Sequence, residues 1–249
     1  FRVNLTTIKN KVLTLPSGDI VGTYTIVREG LAINSLYGYQ WAGVNSANGN
    51  PVWYKADGTT LVQGNIPNSS YRGANSLSDG TLVPNVLLQA SDKVILGTTL
   101  PKWFGGITNT LSYKGLGLDM LWRFSGGNKI MNVTRQETLV NQGFANNGRE
   151  ILERWQKEGD VTNVPKLWYG RDNFVNQNSN ANSRFVEKGD FLRLDNLQLY
   201  YNFDRNLLAS AGLSSIFKSA RFYVQGQNLL LFTNYTGIDP DNISEAGVD

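Results

Sequence analysis

The 249-residue sequence contains no cysteine and no histidine, and only two methionines. Without Cys there can be no disulfides, thiolate metal sites, iron–sulfur clusters or Cys nucleophiles. Without His, Ser-His-Asp chemistry, imidazole metal ligation and proximal-His haem binding have no residue to work with. Charge is sparse as well, at 17% of residues, and nearly balanced: 23 Lys and Arg stand against 20 Asp and Glu, and the basic residues are scattered. That distribution argues against nucleic acid as a partner. Long apolar runs are also missing. The longest is Leu229-Leu230-Leu231-Phe232, whereas a membrane-spanning helix needs about 20 predominantly apolar residues.

Turn formers and aromatics take their place. Gly (26) and Asn (28) make up more than a fifth of the chain, and 11% of it is aromatic. This is too aromatic for a disordered protein and too rich in turn formers for a helical bundle. The N-terminus, Phe1-Arg2-Val3-Asn4-Leu5, begins in mid-pattern, with neither an initiator Met nor a basic-then-apolar leader. It is expected to be an interior starting point within a longer protein.

The strongest periodic signal lies between residues 103 and 124. Ile107, Leu111 and Tyr113 share one parity, with Asn109 between them, and Thr108, Thr110 and Ser112 hold the other. After Lys114-Gly115, the positions Leu116, Leu118, Met120, Trp122 and Phe124 form one face, opposite Gly117, Asp119, Leu121, Arg123 and Ser125. A two-residue period belongs to strands, so this stretch reads as a hairpin. The alternation returns at Leu197, Leu199, Tyr201 and Phe203, more weakly at Phe222 and Val224, and at Phe1, Val3 and Leu5. The opposite face is polar but mostly uncharged. An antiparallel sheet with one wet face would satisfy this pattern, and so would a transmembrane barrel with lipid outside and a polar lumen. Strands of about ten residues, tilted near 40°, suit the barrel. Tyr113, Trp122, Phe124, Tyr201 and Phe203 are then candidates for an interfacial girdle.

Residues 126 to about 188 carry few alternating apolar positions and much Asn, Gly and Ser. A connection that long is unusual in a compact domain but ordinary on one side of an outer-membrane barrel. Within it, Gly148 to Lys157 reads as a short helix with Ile151, Leu152 and Trp155 as its stripe, and with Glu150/Arg154 and Glu153/Lys157 at four-residue spacing.

Several blocks carry a resemblance. Leu100-Pro101-Lys102-Trp103-Phe104-Gly105-Gly106 runs into Asn109-Thr110-Leu111-Ser112-Tyr113-Lys114. Gly126-Gly127-Asn128-Lys129-Ile130-Met131-Asn132 follows, then Ile151-Leu152-Glu153-Arg154-Trp155 with Gly159-Asp160-Val161-Thr162-Asn163-Val164-Pro165. After these come Ser183-Arg184-Phe185-Val186-Glu187-Lys188-Gly189-Asp190-Phe191-Leu192-Arg193-Leu194-Asp195-Asn196-Leu197 and Tyr223-Val224-Gln225-Gly226-Gln227-Asn228-Leu229. In this order the blocks resemble the late barrel of the SusC/RagA family of TonB-linked outer-membrane transporters. The resemblance implies an all-β fold: part of a 22-stranded antiparallel transmembrane barrel with long extracellular loops and a short loop helix. Residues 1–249 would be its C-terminal segment, without the plug domain and the terminal strand. About six or seven strands are expected, too few to close a barrel, so the rest of the same protein must complete it. Further implied partners are a SusD-like surface lipoprotein, a TonB protein acting through the N-terminal part, outer-membrane lipid, and an oligosaccharide or peptide substrate. No cofactor is implied. The alternatives are a soluble or surface β-sandwich that binds glycans, and a structural outer-membrane scaffold.

On the barrel reading, the lumen-facing candidates are Asp119, Arg123, Asn196, Gln198, Tyr200, Asn202, Gln225 and Gln227. Uncharged hydrogen-bonding groups of this kind hold a solute briefly without trapping it. Solvation of the interior or contact with the plug would use the same residues. Asp119 and Arg123 are expected to form an ion pair across the lumen. Among loop aromatics, Trp53 and Trp168 are candidates for stacking on a ligand, and Trp155 for anchoring the loop. The Asp239, Asp241 and Asn242 corner has too few oxygen ligands for a calcium loop and reads as a turn. Glu150 and Glu153 have basic partners on one helix face, so no carboxylate pair is placed for glycoside hydrolysis and no catalytic residue is assigned.

Overall fold

The computed structural model describes residues 1–64, 66–67, 81, 83–144, 146–244 and 247–248. Their fold is mostly antiparallel β-sheet with few, short helices. Contacts divide the chain into two units. One comprises Phe1–Ile8, Pro101–Gly127 and Gly189–Asn234; the other comprises Lys9–Leu100, Asn128–Lys188 and Tyr235–Asp249.

The first unit is one long sheet. Its strands are β1 (Arg2–Thr7), β2 (Trp103–Tyr113), β3 (Leu116–Gly126), β4 (Phe191–Phe203) and β5 (Ala220–Thr233), in that spatial order and antiparallel throughout. Five strands are present in this sheet among the described residues where six or seven barrel strands were expected; Ser35–Val44, a further long strand, belongs to the second unit. The hairpin between β2 and β3 turns on Lys114 (φ 46°) and Gly115 (φ 85°). Two consecutive positive φ values match the right-handed twist of the flanking strands. The sheet is open, with β1 and β5 at its edges.

Registry across the sheet sorts the side chains. Val3, Ile107, Trp122, Leu194 and Leu230 form one cross-strand row, and Leu5, Gly105, Phe124, Leu192 and Phe232 the next, both on the same face. Leu111, Leu118, Leu199 and Val224 form a third row there, and Tyr113, Leu116, Tyr201 and Phe222 a fourth. Apart from Gly105, all these positions are apolar or aromatic. Much of this face is uncovered: Leu111 is 53% exposed, Leu199 50%, Val224 61% and Phe222 65%. Aromatics gather at its two ends. Trp103 and Phe124 (ring centroids 6.0 Å apart) and Trp122 and Phe232 (6.4 Å) lie at one end, and Tyr201 and Phe203 (5.0 Å) with Tyr113 at the other.

Phase breaks occur in β4 and β5. Leu194 pairs with Trp122 while Asn196 pairs with Leu121, so Asp195 is an extra residue, a β-bulge. Between β4 and β5 the register shifts at the same level, beside Asn228, whose φ is 52°. The sequence marks the first bulge, since Leu192 and Leu194 are even while Leu197 and Leu199 are odd.

All three long excursions leave or re-enter the sheet at one end, through Thr7, Trp103, Gly126, Phe191 and Thr233. Only the Lys114–Gly115 turn and residues 204–219 lie at the other end. The excursions are not bare loops. They build the second unit around Ser35–Val44, which pairs with Thr25–Val27, Pro51–Tyr54, Val94–Thr98 and, in parallel, Ala181–Asn182. That parallel strand approaches so closely that a Cβ on Gly38 would sit 1.8 Å from the Ala181 carbonyl oxygen. Leu36, Met131, Val140, Ala181 and Phe185 form one buried cluster, and Tyr39, Trp53, Val62 and Leu88 a second.

The expected helix over 148–157 is reduced to a single 3-10 turn, Arg149–Glu153, with Trp155 beyond it. Its four-residue charge pairs do not form as expected. Glu150 instead accepts from Arg135 Nε (2.7 Å) and Nη2 (2.9 Å), a bidentate pair worth more than an exposed pair along a helix.

Candidate functional site

All eight polar candidates from the sequence fall on the second face of the long sheet. Thr110, Asp119, Gln198 and Gln225 make one row across four strands, in which Gln198 Nε2 donates to Gln225 Oε1 (3.2 Å). The next row comprises Arg2, Thr108, Leu121, Asn196 and Gln227. Ser112, Gly117, Tyr200 and Tyr223 form a third, and Asn202 faces Arg221, whose Nε donates to Asn202 Oδ1 (2.6 Å). Hydrogen-bonding groups thus dominate one face, with Leu121 and Leu231 among them, while hydrocarbon dominates the other, interrupted by Asn109 in the row of Met120 and Leu197.

Three of the eight differ from the expectation. Asp119 and Arg123 do not pair with each other: four residues along one strand separate them by about 13 Å. Arg123 instead donates through Nε to Asp195 Oδ2 (2.6 Å), and Arg193 Nε lies 3.9 Å from Asp195 Oδ1. The bulge is what brings Asp195 to the arginines, and the charged residue out of phase with its apolar neighbours was the sequence signal for it. Tyr200 is packed rather than open, at 8% exposure. Its ring lies against Gly117, where an added Cβ would come 2.0 Å from Tyr200 Cζ, and the Arg221 guanidinium sits 4.1 Å from the ring centroid. Asp119 Oδ1 is buried with no hydrogen-bond partner among the described residues.

The loop aromatics divide. Trp53 is fully buried, edge-on to Trp41 (5.0 Å) and Tyr39 (6.5 Å), so it is a core residue and not a ligand platform. Its β-strand, Pro51–Tyr54, aims it inward against Val62 and Leu88. Trp168 is half-buried. Its Nε1 donates to Asn50 Oδ1 (3.2 Å), Phe174 stands edge-on at 5.4 Å, and Lys166 Nζ lies 4.6 Å above the ring. Trp155 anchors as expected, donating Nε1 to Ser46 O (2.9 Å). Asp239 closes a turn by accepting from Asp241 N (2.9 Å), and Asn242 N donates to the Asp239 carbonyl.

A charged cluster not foreseen from sequence holds the second unit together. Arg135 binds Glu150 and reaches Glu187 Oε1 (3.2 Å), which also accepts from Asn132 Nδ2 and Thr236 Oγ1. Arg184 lies between the Trp41 and Phe185 rings (5.0 and 4.9 Å), with Nη2 3.8 Å from Glu150 Oε1. Burial pulls the Arg184 guanidinium down to about 10. Burial also pushes the Glu150 carboxyl up, but Arg135 and Arg184 outweigh it and hold the group below the usual carboxylate range. Arginines inside a strand-poor, Asn-rich stretch gave no periodic signal. Only the folded loops bring residues 41, 135, 150 and 187 to one place.

No protein-family model matches the chain. Over 96% of its length it is 31% identical to TonB-dependent receptor P3 of Formosa agariphila, of which it covers 22%. It is 31% identical over 155 residues to TonB-dependent receptor P26 of the same organism, covering 62% of this chain and 15% of that protein. Among solved structures it aligns with the RagAB peptide importer in the closed-closed state at a TM-score of 0.73 and 26% identity, covering 99% of this chain and 25% of that one. The chain spans about a fifth of the length of the curated relatives it matches.

Proposed function

The chain belongs to the SusC/RagA family of TonB-linked outer-membrane transporters, and from that premise we propose that residues 1–249 form the C-terminal part of the barrel wall of a nutrient importer. The observation that carries this reading is the one-layer sheet whose registers sort hydrocarbon to one face and amides, hydroxyls and guanidinium groups to the other. Eleven residues at about 3.3 Å each, tilted near 40°, rise about 28 Å, enough to cross an outer-membrane hydrocarbon band. The apolar face with aromatics at both ends meets lipid. The polar face lines the lumen, where Asp119, Arg123, Asn196, Gln198, Asn202, Gln225 and Gln227 meet solute or plug. The end of the sheet at Thr7, Trp103, Gly126, Phe191 and Thr233 is the extracellular one, and the end at Lys114–Gly115 and residues 204–219 the periplasmic one.

The remaining barrel strands, the plug and the TonB contact come from the rest of the parent protein, and a SusD-like lipoprotein is the surface partner. The cargo is a small polar oligomer, an oligosaccharide or a short peptide. Peptide import by the RagAB relative supports the second, and the amide-rich face supports both. Uptake of labelled oligosaccharides and peptides by cells with and without a working TonB protein tests the proposal. Uptake that needs both this protein and TonB is the expected result. Uptake unchanged when the protein is deleted would reject transport and leave a structural scaffold. A soluble glycan-binding sandwich is the less favoured reading, because the sheet unit has a single layer.

A further inference from the structure

One connection is longer than its task requires. The β2–β3 turn reverses the chain in two residues, Lys114 and Gly115, whereas residues 204–219 do the same job between β4 and β5 at the same end of the sheet. The extra residues are folded. Asp204 Oδ1 caps the Arg205–Ser210 helix by accepting from Leu207 N (2.8 Å). Leu208 turns inward at 4% exposure, Leu213 N donates to Leu208 O (2.8 Å), and Phe217 N donates to Leu213 O (2.9 Å). Outward, this knuckle presents four apolar side chains: Leu207 (45% exposed), Leu213 (38%), Ile216 (70%) and Phe217 (49%).

Its charge has one sign. Arg205 and Lys218 bracket the segment, no carboxylate occurs between them, and the one at Asp204 serves as the cap. Asn202 N donates to Gly115 O (2.8 Å), which holds the neighbouring turn and its Lys114 alongside. Tyr113, Tyr201 and Phe203 form the adjoining rim of the apolar face. Apolar side chains flanked by cations, continuous with an aromatic rim, match a membrane interface, where acyl chains meet phosphates.

We propose that residues 204–219 are an interfacial anchor seated in the inner-facing leaflet, with Leu213, Ile216 and Phe217 among the acyl chains and Arg205, Lys218 and Lys114 on anionic phospholipid headgroups. This rests on the reading of the long sheet as a barrel wall. The test uses the full-length transporter in vesicles of phosphatidylethanolamine and phosphatidylglycerol, spin-labelled at Ile216→Cys or, as the reference, at Leu199→Cys in the middle of β4, on a background without other cysteines. Oxygen and a water-soluble nickel chelate are compared as relaxants. The anchor requires a label at 216 that oxygen reaches and the chelate does not, at a shallower depth than 199. A chelate-accessible label at 216, or one shielded from both relaxants by other parts of the protein, overturns the anchor while a lipid-embedded label at 199 upholds the wall. A label at 199 outside the hydrocarbon overturns the wall and the anchor together. As an independent readout, R205Q/K218Q is expected to lower the phosphatidylglycerol that copurifies with the protein at least twofold, and an unchanged amount rejects the headgroup contacts.

Discussion

Asp195 is the extra residue of the β4 bulge, and Arg123 on β3 donates to it at 2.6 Å. The contact places a carboxylate between two arginines, Arg123 and Arg193, that face each other directly across the strand pair. Like charges so opposed are destabilising, and Asp195 offsets them. Asp195→Asn is therefore expected to lower barrel stability by about 1–2 kcal/mol, read as a lower temperature for loss of the heat-modifiable band on gels. Adding Arg193→Gln should recover much of the loss, and a double variant no better than the single would argue against this account.

Gly117 and Tyr200 form a second coupled pair. The ring occupies the space that a side chain at 117 would need. Gly117→Ala should cost about 1–3 kcal/mol by overpacking, and Tyr200→Ala should remove most of that penalty. A double-mutant cycle on the refolded full-length protein measures this coupling. Additive effects would show that Tyr200 has another place to go.

Acid should loosen the loop unit. Glu150 in the folded protein titrates below its ordinary value of 4.5. Its stabilising contribution is thus present above pH 4.5 and is lost as pH falls through the lower folded value. Hydrogen exchange of residues 128–188 is expected to speed up as pH drops below about 4.5, after correction for intrinsic exchange. Glu150→Gln should already exchange faster at pH 7, by the equivalent of about 2–3 kcal/mol, because Arg184 is left buried with less compensation. It should also flatten the acid response, and a variant that keeps the wild-type pH profile would place the titration elsewhere.

The sheet was legible in sequence because its constraint is local. A period of two, read from Leu116 to Phe124, assigns each side chain to a face without knowledge of any partner strand. The bulge at Asp195 was visible too, as the step from Leu194 to Leu197, but only to a reading that began before Leu197. The second unit was opaque for the opposite reason. Trp53 looks like any loop aromatic until Val62 and Leu88 close over it. Arg184 looks solvent-bound until Trp41, Glu150 and Asn176, from three separate segments, close around it. Gly38, which permits the parallel strand at Ala181, is separated from it by more than a hundred residues, and nothing local to either announces the contact.

The sorting of faces has a direct chemical consequence along β4. Asn196 and Gln198 point to one side of the sheet and Leu197 and Leu199 to the other, within four consecutive positions that span only about 8 Å of depth. If one side is water and the other lipid, cysteines placed at these four positions should react in alternation with a membrane-impermeant, charged thiol reagent applied to cells. Positions 196 and 198 are expected to label at least tenfold faster than 197 and 199. A thiol facing hydrocarbon stays protonated and out of reach of a charged reagent. Substrate added before the reagent should slow labelling at 198 if cargo passes the Gln198–Gln225 pair, and leave 199 unchanged. Equally fast labelling at 198 and 199 would mean that both faces are wet, which no barrel wall permits. Slow labelling at all four would mean that the polar face is sealed by the plug in the resting state. In that case labelling at 196 and 198 should rise when TonB is energised, since only displacement of the plug could expose that face.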